Sequence, residues 1–124
     1  MKDSDIPIIN AVAMEMYQIA FDHGFHSDSP RPGSGEEATI DRVAKFCANL
    51  HGEISELWEA ARKGQLKAPC DKKGCDLNCV EEELADLAIR VFDCAVVLGV
   101  DLGKAILAKA EYNKGRPFMH GKTA

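Results

Sequence analysis

Hydrophobic residues recur at intervals of three and four along most of this chain, a spacing that places them on one face of an α-helix. The longest such stripe consists of Ile40, Val43, Cys47, Leu50, Ile54, Leu57 and Ala61. Ser34 followed by Glu37 resembles a capping box before this stripe, and Lys63-Gly64 after it is typical of a helix end. The pattern therefore predicts a long helix whose stripe packs into a core.

Three further segments show the same helical periodicity. They run from Ile8 to His23, from about Val80 to Leu98 and from Leu102 to about Asn113, and a glycine follows each within two residues. The stretches 26–35 and 65–79 have the polar, glycine and proline content of loops. Because no segment alternates with period two, the sequence predicts an all-α bundle of four to five helices. Its broad apolar faces lead us to expect that dimerisation completes the core.

The size and composition of the chain fit one domain, spanning residues 1–124, with a core of its own. The net charge is −5 with no basic block, which argues against duplex nucleic acid as a partner, because phosphate contacts need clustered lysine and arginine. No transmembrane run or signal peptide is apparent, so we expect no membrane partner. Five cysteines cannot all pair within the chain, which favours free thiols and a cytoplasmic location.

Two pairs of carboxylates lie at the edges of the predicted core stripes. Glu53 and Glu56 are three apart on the second predicted helix, and Glu83 and Asp86 are three apart on the third. If these helices pack side by side, the four carboxylates converge as hard oxygen ligands that suit Mg²⁺, with Mn²⁺ as an alternative. Glu82, one turn before Asp86, competes with Glu83 as a ligand. The alternative for each pair alone is a solvated acidic face.

The fourth predicted helix carries polar residues in line with its apolar stripe. Leu102 and Ile106 define that stripe, and Lys109 and Asn113 continue it where core residues would be expected. A cation and an amide facing a cavity would bind phosphate oxygens, and Arg116 would add a bidentate contact. The alternative is a helix end that leaves the core, with the lysine extended to water. Acidic and cationic clusters together are typical of metal-assisted phosphate chemistry.

These residues resemble the signature of a known family. Glu53-x-x-Glu56, then a gap of 26 residues and Glu83-x-x-Asp86, is similar to the motif of the all-α nucleoside triphosphate pyrophosphohydrolases, the MazG-like group. The closing KAEYNKGRPF resembles the phosphate-contacting C-terminal segment of that group, and the resemblance covers about residues 36 to 120. It implies Mg²⁺-dependent hydrolysis of a ribo-, deoxy- or modified nucleoside triphosphate to the monophosphate and pyrophosphate, in nucleotide-pool house-cleaning.

The resemblance also implies roles for individual residues and an assembly. The four carboxylates would be the metal ligands and catalytic groups of a homodimer or homotetramer. Lys109, Asn113 and Arg116 would contact the phosphates, and Tyr112 would line the site. Trp58, the only tryptophan, either stacks on the base or packs in the core. The first helix and its loop could close over a nucleotide, although no motif supports this, through His23, Phe25 and His26.

Other functions remain open from the sequence. A phosphoribosyl-ATP pyrophosphatase-like enzyme would have similar acidic helices. A non-enzymatic helical interaction module would carry the acidic residues on solvated faces, and would leave an inward lysine and asparagine unexplained. A four-helix di-iron protein needs Glu-x-x-His pairs, and no glutamate here has a histidine three positions on.

Three cysteines crowd the second loop. Cys70, Cys75 and Cys79 are spaced as C-x4-C-x3-C, whereas structural zinc sites usually show C-x2-C pairs and four ligands. Free thiols, a disulfide within the loop and a zinc site with a ligand from elsewhere all remain open. Cys47 lies in a core stripe and Cys94 near one, so we expect both to act as small apolar residues.

Overall fold

The computed structural model describes residues 1–27 and 40–121. Four helices make up most of this part: α1 (Ile6–Asp22), α2 (Ile40–Arg62), α3 (Cys79–Val97) and α4 (Leu102–Lys114). Apart from one isolated bridge between Pro69 and Asn78, the described residues contain no β-structure, so the predicted all-α bundle is confirmed. None of the described helices is both long and apolar enough to cross a membrane. The capping box predicted at Ser34 and Glu37 lies outside the described residues.

Side-chain caps begin two of the helices. The Asn78 side chain accepts a hydrogen bond from the Glu81 backbone N–H at 2.9 Å, at the start of α3. Asp101 accepts one from the Lys104 N–H at 3.0 Å, as predicted for α4. Each cap satisfies one of the backbone donors that a helix N-terminus leaves without a partner. The starts of the two C-terminal helices are therefore set by local chemistry.

Helix α3 packs against both α1 and α2, and α4 packs against α1. The Asn10 side chain joins α1 to the start of α4: it accepts from the Gly103 N–H at 2.9 Å and donates to Asp101 at 2.8 Å. A Cβ atom at Gly103 would lie 2.6 Å from the carbonyl oxygen of Ile6, so only glycine allows this approach. Helix α4 is thereby held on the α1 side of the bundle.

The core of the single chain is small. Its buried apolar residues are Ala13, Tyr17, Phe46, Ala95 and Val97. The buried residues of α2 are Phe46 and Glu53, whose directions lie on average about a fifth of a turn around the helix from those of the predicted stripe. The prediction that the stripe packs inward is therefore wrong for much of its length within one chain.

A continuous apolar surface remains on the other side of α2. We call it the outer α2 face; it consists of Ile40, Val43, Ile54 and Trp58, which are 87%, 40%, 51% and 65% exposed. Cys47 is exposed on the same side, so it is not the core residue that its spacing predicts. Packing of Trp58 in the core is likewise wrong for the single chain. The exposure of these side chains shows that the described residues leave most of this face uncovered.

Candidate metal centre and adjoining cavity

The packing of α2 against α3 brings three of the predicted carboxylates together. Glu53, Glu56 and Glu83 each offer a carboxylate oxygen, and these oxygens lie within 4.8 Å of one another. We call these three residues the acidic cluster. Glu53 and Glu83 are each only 8% exposed, whereas Glu56 lies at the solvent edge. The sequence prediction that carboxylates of the two helices converge is met for these three side chains.

The fourth predicted carboxylate, Asp86, lies beside the cluster rather than within it. Asp86 is half-buried one turn further along α3, and it shares a cavity wall with Glu53. Burial raises its pKa first, and the charges of Glu53 and Glu82 raise it further. Its carboxyl group is thus close enough to the others to share in their electrostatics.

The most unusual group in the cluster is the carboxyl of Glu83. Burial, then its hydrogen bond and charge interaction with Glu56, then Glu53 and Glu82, raise the pKa of Glu83 to about 7. The Oε2 atom of Glu83 is buried with no hydrogen-bond donor. Ionised carboxylates cannot donate, so Glu56 and Glu53 can hydrogen-bond to the Glu83 carboxyl only through a shared proton. The site therefore needs a proton or a cation.

Two cationic side chains form ion pairs with carboxylates next to Glu83. The Arg90 Nε donates to Oε1 of Glu53 at 2.6 Å across the α2–α3 contact. Lys72, from the loop between these helices, pairs with the buried Glu82, and this hydrogen bond is the main cause that raises the pKa of Lys72. Glu82, the alternative ligand in the sequence, is thus occupied by a lysine.

Neither cation was among the residues predicted from the sequence. Arg90 follows Glu83 by seven positions and Asp86 by four, which places all three on one side of α3. That spacing could have revealed Arg90. Nothing in the sequence of the loop shows that Lys72 folds back on to α3.

A cavity of about 380 Å³ adjoins the cluster between α1, α2 and α3. Its lining combines acidic, basic and aromatic side chains, including Glu53, Asp86, Arg42, Lys45, Arg90, Phe25 and Phe46. The turn that follows α1 contributes His23 and His26 as well. The segment that lacked a motif therefore forms part of the cavity wall, and only the fold reveals this.

One wall of the cavity contains a buried histidine–aspartate pair. His26 Nε2 lies 2.6 Å from Oδ1 of Asp93, and the imidazole stacks on Tyr17 with 5.1 Å between ring centroids. Burial raises the pKa of Asp93, although the hydrogen bond from His26 lowers it. This pair fixes the end of α1 against α3 and gives the cavity a polar group on a rigid wall.

The predicted phosphate-binding residues of α4 are grouped with one another and not with the acidic cluster. Lys109 Nζ lies 4.7 Å from the ring centroid of Tyr112, and the Arg116 guanidinium lies 5.9 Å from it. Lys109 is exposed, so the prediction that it faces the core is wrong for the single chain. Asn113 is half-buried, and its Oδ1 atom is buried without a donor.

The position of α4 explains why these groups are separate. The acidic cluster lies between α2 and α3, whereas α4 packs on α1. No side chain of α4 lines the described cavity, and neither does Trp58 on the outer α2 face. Within the described part of one chain, the structure does not bring Lys109, Tyr112, Asn113 or Arg116 to the carboxylates.

The cysteines of the second loop do not form a zinc site in the described structure. All five cysteines are free. Cys70, Cys75 and Cys79 do not converge on a common metal position, since the acidic cluster alone does so among residues 1–27 and 40–121. Free thiols and a disulfide remain from the sequence-based alternatives. Cys94 is half-buried on α3, which fits its expected position near the core.

Comparisons of this chain with known protein families, with curated proteins and with solved structures found no match. Function is therefore inferred from the geometry of the acidic cluster and its cavity. The motif spacing described above is a separate line of support.

Proposed function

We propose that this protein hydrolyses a nucleoside triphosphate to the monophosphate and pyrophosphate, with Mg²⁺ or Mn²⁺ bound at the acidic cluster. The observation that carries the proposal is the buried carboxyl of Glu83, whose Oε2 has no hydrogen-bond partner and which lies with two further carboxylates beside a cavity of nucleotide size. The resemblance to the MazG-like pyrophosphohydrolases supports this reaction and a house-cleaning role in the cytoplasmic nucleotide pool.

The carboxylates fit a hard divalent cation by their chemistry. Glu53, Glu56 and Glu83 supply three oxygen donors within 4.8 Å of one another, and Asp86 lies beside them. A cation held by these residues would satisfy Oε2 of Glu83, so no shared proton would be needed. When bound, Mg²⁺ would neutralise phosphate charge and lower the pKa of a water molecule.

The protein itself would orient the reacting groups. Arg90 holds the Glu53 carboxylate from a neighbouring helix at 2.6 Å, so this ligand is fixed before any metal arrives. The triphosphate would lie at the acidic end of the cavity, next to Glu53 and Asp86. The base and sugar would contact the aromatic walls at Phe25 and Phe46. Helical walls on three sides would exclude bulk water from the cavity.

The residues of α4 can take part only with a second copy of the chain. Lys109 and Asn113 are grouped away from the cluster within one chain, so contact with its phosphates requires α4 from a partner or a similar rearrangement on assembly. The outer α2 face provides an apolar surface on which such a copy could pack. A homodimer or homotetramer is therefore part of the proposal, with Trp58 at the interface or on the base.

The test is a substrate panel read by product. Purified protein with Mg²⁺ is incubated with common and modified nucleoside triphosphates and with phosphoribosyl-ATP, and pyrophosphate and orthophosphate are measured separately. We expect pyrophosphate release that stops with chelator and falls by at least 100-fold in Glu53→Gln. Glu15→Gln, which removes an exposed carboxylate of α1, is the control. Orthophosphate as the product, or full activity of Glu53→Gln, would refute the mechanism, and release of neither product from any substrate would favour an interaction module.

A further inference from the structure

The loop between α2 and α3 folds into a small hairpin that positions two thiols beside each other. Its base is fixed by hydrogen bonds from the Cys70 N–H to the Leu77 carbonyl and from the Cys79 N–H to the Ala68 carbonyl, each 2.9 Å. At its tip, the Cys75 N–H donates to the Lys72 carbonyl at 3.2 Å. The sequence alone assigns these cysteines no role, and the proposed hydrolysis does not use them.

Cys70 and Cys75 are already close in this hairpin. The Cys70 Sγ lies 3.5 Å from the Cys75 carbonyl oxygen, and the two thiols are near enough to share a hydrogen bond. Both residues are half-buried and both thiols are free. A bond between them would close a ring of only six residues whose backbone is already folded, so little further chain ordering is needed.

The geometry points to a reversible disulfide between Cys70 and Cys75, formed by exchange with a low-molecular-weight disulfide such as oxidised glutathione. One protein thiolate attacks the glutathione disulfide and releases one glutathione thiol. The second protein thiolate then attacks the mixed disulfide and releases the other. Two protein thiols are oxidised, one glutathione disulfide is reduced to two thiols, and the two protein protons end on the products.

The disulfide would act on the acidic cluster through Lys72, which lies inside the ring. The backbone N–H of Lys72 lowers the pKa of Cys70, but the hydrogen bond with Cys75, burial and the charge of Glu82 together raise it. The Lys72 ammonium pairs with Glu82, the residue before Glu83. Closing the ring would hold the hairpin tip, and with it this positive charge, beside the carboxylates. A fixed neighbouring cation opposes a divalent metal.

The raised pKa of the Cys70 thiol is consistent with a slow, selective reaction. A thiol whose pKa is raised is largely protonated near neutral pH, so it reacts slowly with peroxide. The first exchange step is slowed in the same way, because it also needs a thiolate, but ring closure then follows readily because the second sulfur is already in place. The pair would therefore respond to a sustained change in the thiol–disulfide ratio rather than to a brief oxidant pulse.

The first experiment counts thiols in the full-length protein after equilibration with oxidised and reduced glutathione. We expect the free thiols to fall from the five of the reduced protein to three, without mass added by glutathione. Cys79→Ser, in the same loop, should still lose two thiols, whereas Cys70→Ser and Cys75→Ser should not. Peptide mapping of the oxidised wild type locates the bond directly, so the result does not depend on how the variants fold. No bond, or a bond through Cys79 or between chains, would overturn the inference.

The second experiment measures Mg²⁺ binding by calorimetry to the reduced and oxidised wild type, and this part rests on the proposed metal site. We expect about threefold to tenfold weaker binding in the oxidised form, and no such difference in Lys72→Met. Equal binding by the two wild-type forms would refute the coupling to Lys72. Absence of Mg²⁺ binding by the reduced protein would instead refute the proposed function, while the thiol count would still decide whether the disulfide exists.

Discussion

Replacing Glu83 by glutamine should make the metal-free protein more stable, although it removes a proposed metal ligand. The Glu83 carboxyl is 8% exposed and its Oε2 atom has no donor, while the carboxylates of Glu53 and Glu56 lie beside it. Ionisation of Glu83 therefore places a third negative charge in a confined space. Glutamine has nearly the same shape, carries no charge and can donate hydrogen bonds to its neighbours.

The magnitude follows from the pKa of Glu83, which is raised from 4.5 to about 7 in the folded protein. Between these pH values the folded state keeps a proton that the unfolded state has lost. The stability that the protonated form provides at low pH therefore falls as the pH rises through 7. At about 1.4 kcal/mol per pH unit the difference is at most about 3.5 kcal/mol. Because Glu56 is exposed and screened by solvent, we expect about 1–3 kcal/mol.

The assay is urea unfolding followed by circular dichroism, with chelator, at pH 5 and pH 8. At pH 8 the Glu83→Gln variant should be more stable than wild type by about 1–3 kcal/mol, and at pH 5 the two should be nearly equal. Adding Mg²⁺ should stabilise the wild type and leave the variant almost unchanged. Glu15→Gln should show neither effect, since that carboxylate is exposed on α1. A Glu83→Gln variant that is less stable than wild type at pH 8 without metal would refute the reasoning.

Three further predictions concern packing and charge. Gly103→Ala should lose about 1–3 kcal/mol of unfolding free energy, because its Cβ would lie 2.6 Å from the backbone of α1. Gly52→Ala, whose Cβ would have no atom within 4 Å, should lower the free energy of unfolding by less than about 1 kcal/mol or raise it. Both glycine variants are measured by urea unfolding. Lys72→Met should lower the free energy of unfolding by about 1–3 kcal/mol, because the buried Glu82 loses its counter-ion. The control Lys73→Met should stay within about 0.5 kcal/mol of wild type, and both are measured by thermal unfolding. His26→Ala should lower the free energy of unfolding by about 2–4 kcal/mol, because it removes a buried ring and the hydrogen-bond partner of Asp93. It should also weaken the near-ultraviolet circular dichroism.

Each of these predictions has an outcome that would contradict it. Equal effects of Gly103→Ala and Gly52→Ala would mean that helix propensity, and not the approach of α4 to α1, decides the result. Equal effects of Lys72→Met and Lys73→Met would show that the ion pair with Glu82 adds nothing to stability. A His26→Ala variant with wild-type stability would mean that the end of α1 is not fastened through this ring.

The helices could be predicted from the sequence because they depend on local rules. The third was expected from about Val80 to Leu98 and is observed as Cys79–Val97. The first begins two residues earlier than expected, with Pro7 in its first turn, where proline is well tolerated. Periodicity and glycine stops determine where a helix lies, and they need no knowledge of its neighbours.

The face that each helix buries was harder to predict. The periodicity of α2 shows that Val43 and Ile54 share a side, but Phe46 and Glu53 on another side meet α3. Hydrophobic spacing shows which residues lie together, not which neighbour covers them. For a helix that can pack on two sides, the apolar stripe alone therefore does not show which side is buried.

The acidic cluster was predictable in part, because spacing along a helix fixes which residues share a side. Carboxylates three apart must share a side of their helix, and two consecutive helices joined by a loop often pack together. Glu53 and Glu83 therefore met as expected. The spacing of Arg90 shows only that it shares a side of α3 with the carboxylates, and its ion pair with Glu53 depends on tertiary contacts. The sequence gives no sign of the fold of the Lys72 loop. The separation of Lys109 from the cluster likewise follows from where α4 docks.

The outer α2 face has a consequence for how the protein behaves on dilution. A chain that leaves Ile40, Ile54 and Trp58 at least half exposed gains little from its own core. If a second copy covers this face, folding and association become one equilibrium, and the melting temperature rises with protein concentration. The amount of protein present would then set how much of it is folded, and thus how many acidic clusters are assembled.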